Sequence, residues 1–134
     1  MSDITAIRQG IATNLATISG LRTSAELPDN PNPPAAVVAL ETIDYDGAFQ
    51  QGVTTFMFTI IVIVSRQSDR ISQRSLNQYA SQNGERSIKT AVESDRSLGG
   101  NAMDCRVRGM TSVGSLQLND TEYVAAEFSV AVYA

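Results

Sequence analysis

Residues 53–65 constrain the fold more than any other part of the chain. The run Val-Thr-Thr-Phe-Met-Phe-Thr-Ile-Ile-Val-Ile-Val-Ser is dominated by β-branched and aromatic residues and contains neither Gly nor Pro, which is the composition of a strand. Extended, it spans roughly 40 Å at about 3.3 Å per residue. Alternate residues of a strand share a face. Phe56, Phe58, Ile60, Val62 and Val64 therefore form one face, and Thr55, Met57, Thr59, Ile61 and Ile63 the other. A strand with one solvated face alternates apolar with polar residues, but here both faces are largely apolar. Left at an open edge, such a segment invites aggregation. It is therefore expected inside a sheet, with its second face covered either by the chain's own helices and loops or by a neighbouring subunit. Met57, Thr59, Ile61 and Ile63 are accordingly candidate subunit-interface residues.

Asp3 to Ile18 is expected to be an amphipathic helix, because Ile4, Ile7, Ile11, Leu15 and Ile18 recur at steps of three and four. Ser2 or Asp3 is placed to cap it and Gly20 to end it. Leu21 to Leu27 reads as a short strand. It leads into Pro28-Asp29-Asn30-Pro31-Asn32-Pro33-Pro34, whose prolines forbid helix and central strand and fix an extended, stiff loop. That loop is a connector or a preordered contact arm, and Pro28, Pro31 and Pro33 are candidate partner contacts.

Ala35 to Tyr45 reads as a strand. Asp46-Gly47 is a hairpin signal, with the return strand starting at once or after a looser loop through Gln50-Gln51-Gly52. Asp46 and Gly47 are further contact candidates. Asp69 to Gln82 and Ser87 to Asp95 read as two more helices. Arg66, Arg70 and Arg74 recur every four residues at the start of the first, as a solvated basic face or as a docking patch for an acidic partner. Leu98-Gly99-Gly100 breaks the chain. Asn101 to Thr111 is expected as a strand with Met103, Cys105 and Val107 on one side and Asp104, Arg106 and Arg108 on the other. Asn119-Asp120 marks a turn. The final strand from Tyr123 carries Val124, Ala126, Phe128, Val130 and Val132 inward. Its other face bears small residues, of which Ala125, Ser129 and Ala131 join the interface candidates. The expectation is a single domain, 1–134, of α+β class: a mainly antiparallel β-sheet with an N-terminal helix and two further helices packed against it.

The chain offers little catalytic chemistry. It has no His, which removes the commonest general base, the usual zinc ligand and the Ser-His and Cys-His nucleophile pairs. One Cys, Cys105, permits no internal disulfide and suits a reducing cytosol. Asp44 and Asp46 share a strand face, but acidic residues beside a turn are ordinary. Glu122 and Glu127 face opposite sides. No Gly-x-x-x-x-Gly-Lys surrounds Gly99-Gly100. No enzyme, metal or cofactor is expected. The net charge of −4, from 14 acidic and 10 basic residues, argues against a protein that wraps nucleic acid, though not against a wall past which duplex DNA slides. No basic-then-apolar leader opens the chain. The apolar stretch Phe56 to Val64 is far short of the roughly twenty residues of a membrane helix.

In order of elements the chain resembles the tail terminator proteins of long-tailed bacteriophages, the tail completion or neck-associated class. The resemblance rests on the N-terminal helix followed by Gly20-Leu21-Arg22 and on the Pro-rich loop closing in Pro33-Pro34-Ala35-Ala36-Val37-Val38. It continues through the long apolar strand ending near Arg66, the helix ending in Asn83-Gly84, Ser87-Ile88, Leu98-Gly99-Gly100 and the Tyr123-Val124-Ala125-Ala126-Glu127-Phe128 strand. It implies a homohexameric ring that caps the tail tube, ends tube polymerisation and provides the head-joining surface. The implied partners are the tail tube protein, a head-completion or connector protein, and duplex DNA passing through the lumen without sequence recognition. The implied location is the tail or neck of the virion, after assembly in the host bacterial cytoplasm. The alternatives are a head-completion, connector or minor tail protein of the neck, or a small-ligand-binding α+β module with a cavity lined by Phe56, Phe58 and Phe128.

Overall fold

The long apolar strand lies at the centre of a five-stranded sheet. The computed structural model describes residues 4–18, 21–24, 35–44, 54–66, 77–81, 87–100, 102–118 and 121–134. Among them the elements run α1 (Ile4–Leu15), β1 (Arg22–Ser24), β2 (Ala35–Asp44), β3 (Thr55–Arg66), a helical stretch at 77–80, α2 (Ile88–Val92) continuing into a 3-10 turn (Glu93–Asp95), β4 (Asp104–Leu118) and β5 (Thr121–Tyr133). The strand order is β1-β2-β3-β5-β4. All neighbours are antiparallel except β1 and β2. The fold is α+β, an N-terminal helix and two short further helices with a mostly antiparallel sheet.

One face of the sheet carries the core. Phe56, Phe58, Ile60, Val62 and Val64 of β3 join Ala126, Phe128, Val130 and Val132 of β5 in one buried cluster with Ile7, Ile11, Leu15 and Ile18. The helical stripe thus docks on the sheet as its spacing predicts. Helix α1 stops at Leu15, earlier than Ile18. Ile18 stays buried because a turn, Ile18 N–H to Leu15 O at 3.0 Å, folds it back. The expected capping residue, Ser2 or Asp3, and the expected stop at Gly20 lie outside the described residues.

Helix α1 is held to α2 by polar as well as apolar contacts. Buried Asn14 donates from Nδ2 to Val92 O and to Asp95 O, both at 3.0 Å. These are carbonyls at the C-terminal end of α2 and its 3-10 extension, where helix carbonyls lack intrahelical partners. The turn that follows is organised by Asp95. Its Oδ1 accepts from Ser97 N–H (3.2 Å) and Ser97 Oγ–H (2.7 Å), and its Oδ2 from Gly99 N–H (3.0 Å). These donors hold the Asp95 carboxyl below its ordinary range. Leu98, Gly99 and Gly100 all have positive φ, and Leu98 is nonetheless buried. Gly10 of α1 lies against it: a Cβ there would stand 2.9 Å from Leu98 Cβ. The close approach explains a glycine inside a helix, where it otherwise costs about 1 kcal/mol.

The β2–β3 ladder is described as far as Asp44 paired with Thr55, and the Asp46-Gly47 signal lies outside the described residues. Two expectations are corrected. Strand β4 runs to Leu118, beyond Thr111. Its Gly- and Ser-rich second half looks like loop in isolation but is carried by pairing with β5, from Ser112↔Glu127 to Leu118↔Thr121. Met103 does not share a buried face with Cys105 and Val107. It precedes β4 and is 71% exposed, whereas those two are buried.

Candidate assembly surfaces

The seven interface candidates, chosen from two separate strands, lie side by side. On the sheet face opposite α1, Met57 pairs with Ala131, Thr59 with Ser129, Ile61 with Glu127 and Ile63 with Ala125. Their burial divides them. Ile63 and Ala131 are 0% exposed and Ala125 is 9%, so these three are enclosed by the chain itself and offer almost no area to a partner. Ile63, Ala125 and Tyr123 form a small second cluster against which Ile61 packs. Met57, Thr59, Ile61 and Ser129 are half-buried. The second face of β3 is thus closed at its Ile63 end and partly open at its Met57 end.

Most of the predicted contact residues cannot be placed. Pro28, Pro31, Pro33, Asp46, Gly47, Arg70 and Arg74 lie outside the described residues. Arg66 ends β3 opposite Tyr123. Phe56 and Phe58 stack at a centroid distance of 6.4 Å within the core cluster. Of the three, only Phe128 borders a described surface groove.

A basic edge went unnoticed in the sequence. Strand β4 ends the sheet, and Arg106 and Arg108 are exposed on it. With Lys89, Val107 and Tyr133 they line an open concavity of about 450 Å³. Glu93 sets this edge in place: its Oε2 accepts from Lys89 Nζ at 2.6 Å and from the Val107 N–H at 3.1 Å. Burial acts to raise the Glu93 carboxyl, but the Lys89 ammonium, the Val107 amide and the nearby Arg96 outweigh it and hold the carboxyl below its ordinary value. Lys89 is thereby neutralised, and Arg96 is paired with Asp104 at 3.2 Å. Arg106 and Arg108 have no ion-pair partner among the described residues. At the far side of the sheet, Glu41 and Asp44 of β2 are exposed. Among the described residues Glu41 accepts only from Thr59 Oγ1, at 2.9 Å. The alternation Arg106-Val107-Arg108 signals an exposed strand side, but nothing local says that this strand is the last in the sheet.

Cys105 is fully buried, with its thiol 3.7 Å from Val92 O. Burial, reinforced by the negative charge of Asp104, pushes its pKa from 9.0 up to about 11. The thiolate is the reactive form, so native Cys105 is expected to resist iodoacetamide at pH 8 and to react promptly once denaturant opens the fold, as mass spectrometry can follow. Because the folded pKa is the higher, the stability linked to this thiol is fully present below pH 9 and is lost as pH rises through about 11. Fast labelling of the folded protein would contradict this placement.

Among the described residues no three Cys, Asp or Glu side chains gather as metal ligands, and no helix is long and apolar enough to cross a membrane. No protein-family model and no curated protein matches the chain.

Proposed function

We propose that this chain is a structural assembly subunit that forms a ring on the end of a phage tail tube, stops addition of tube subunits and offers the surface to which the head joins. The observation that carries the reading is the sheet face around Met57, Thr59, Ile61 and Ser129, half-buried beside an enclosed core. A ring is a closed set of head-to-tail contacts, so each subunit needs two different complementary surfaces. A rigid sheet with a distinct face and two distinct edges has the means to provide them. Capping then needs no chemistry. One face of the ring matches the tube end, and the other lacks the surface on which the next tube ring would grow. In this reading the protein belongs to the virion neck, uses no cofactor, and lets duplex DNA pass through its lumen without reading sequence.

Light scattering and electron microscopy of the protein mixed with purified tail tubes of the encoding phage test this. The expected result is arrested tube growth with a ring on one tube end, of about 86 kDa for six copies of the 14.4 kDa chain. Protein found only at the portal vertex would move it to the head-completion or connector class. Protein that binds neither tube nor portal would end the assembly reading.

A further inference from the structure

The two sides of the sheet carry opposite charge that has no ion-pair partner among the described residues. Strand register links them: Thr42 of β2 is beside Met57, Met57 beside Ala131, and Ala131 beside Arg106 of β4. The next row joins Asp44, Thr55, Tyr133 and Asp104. Glu41, beside Thr42, therefore stands level with Arg106 across the sheet, while Asp44 lies two residues further along, level with Asp104. Strand β1 pairs only with Ala35–Val37, at the other end of β2, so it does not stand beside the acidic end. On the β4 side, register shifts fall between Val107 and Gly109 and between Met110 and Ser112. The Val107 N–H is already taken by Glu93. Shifts of register and occupied donors discourage strand addition at an edge, so a partner here meets the arginine side chains and not a free backbone ladder.

We propose that the Arg106/Arg108 edge of one copy docks on the Glu41/Asp44 side of the next. The occupant is a second copy of this chain because the chain supplies both halves of the charge match, each lacking an ion-pair partner among the described residues. The level placement matters as well. A lateral contact with no displacement along the strands repeats into a closed ring, whereas a contact with a rise repeats into a helical filament. The direction also agrees: β2 and β4 run opposite ways in the sheet, so copies related by rotation about an axis along the strands bring unlike edges together antiparallel. The docking rests on the self-assembly part of the function proposed above and not on the tube.

Charge exchange tests it by sedimentation velocity at low and high salt. The wild type is expected to self-associate, less so at high salt. Arg106→Glu with Arg108→Glu, and separately Glu41→Arg with Asp44→Arg, are each expected to weaken association by roughly a hundredfold, since like charges then face each other. Mixing the two variants is expected to restore association as a 1:1 alternating assembly, because each then meets its opposite. Circular dichroism checks the folds, and Arg106→Gln with Arg108→Gln repeats the test without new charge. The docking is overturned if the wild type stays monomeric at every concentration and on tubes, if either reversed variant assembles as the wild type does, or if mixing restores nothing. Tube capping is scored separately. Reversed variants that still cap tubes refute the docking and leave the tail reading intact, while a restored mixture that ignores tubes does the opposite.

Discussion

Replacing Asn14 with alanine is expected to lower the unfolding free energy by about 2–3 kcal/mol, the cost of two lost hydrogen bonds to backbone carbonyls and of a void beside them. The Asn14 Nδ2 group serves two carbonyls at 3.0 Å. Asp95 O keeps a second donor, the Leu98 N–H at 3.1 Å. Val92 O keeps its place in the 3-10 turn Glu93–Asp95, which it opens, and the Cys105 thiol at 3.7 Å, a weak donor. The loss therefore falls on the contact between the two helices. Asn14→Asp isolates the polar component. It keeps the shape but turns carboxylate oxygens toward two carbonyls, so near neutral pH it is expected to be more destabilising than alanine. Its carboxyl pKa is raised by that surrounding, and stability should recover as pH falls and the protonated acid donates to one carbonyl. Urea denaturation of the three proteins across pH 4–8 checks both effects. An Asn14→Ala protein as stable as the wild type would remove Asn14 as the link between the helices.

Asn14 was visible in the sequence as an irregularity. It lies three residues after Ile11 and four before Ile18, on the same helical stripe, where an apolar residue would be expected. A polar residue in such a position needs a partner, but its partners are carbonyls 78 and 81 positions away, beyond any local pattern. Features set by nearby residues were legible: the stripe that docks α1, the two apolar faces of β3 and its central place, and the inward face of β5 from Ala126 to Val132, though not at Val124, which lies beyond a register shift and outside the core cluster. Features set by pairing were not. The second half of β4 has little strand character of its own and exists because β5 lies beside it. The register shift between Leu40 and Thr42, next to exposed Glu41, leaves no sequence mark at all.

The candidate surfaces follow the same division. Periodicity selected Met57, Thr59, Ile61, Ile63, Ala125, Ser129 and Ala131 as residues of a second face, and register then made them neighbours. Periodicity does not report depth. Ala131 is 0% exposed because it is small and sits between Met57 and Arg106 on an interior strand. The basic edge depends on strand order, in which the last two strands in sequence exchange places so that β5 lies inside and β4 outside. No count of arginines contains that information.

The same difference in depth separates folding from assembly, and two lysine substitutions on one strand face are expected to show it. Ile63→Lys puts an ammonium where the side chain is 0% exposed and packed against Tyr123 and Ala125. An unpaired buried charge costs several kcal/mol, a large share of the roughly 5–15 kcal/mol that holds a domain together. This variant is expected to be largely unfolded or insoluble. Met57→Lys lies on the same face, but at a half-buried position between Thr42 and Ala131. There the aliphatic stem can lie along the sheet while the ammonium reaches water, so the cost to the fold should stay within about 1 kcal/mol. If the Met57 end of the face is covered by a neighbouring subunit, the lysine that the monomer tolerates becomes a buried charge in the assembly. Met57→Lys should then give a folded protein with a near-native denaturation midpoint that neither associates nor caps tubes. A Met57→Lys protein that assembles normally would show that this face is not where subunits meet. Loss of fold in both variants would mean that the face is closed from end to end by the chain itself, and the apolar second side of β3 would need no partner.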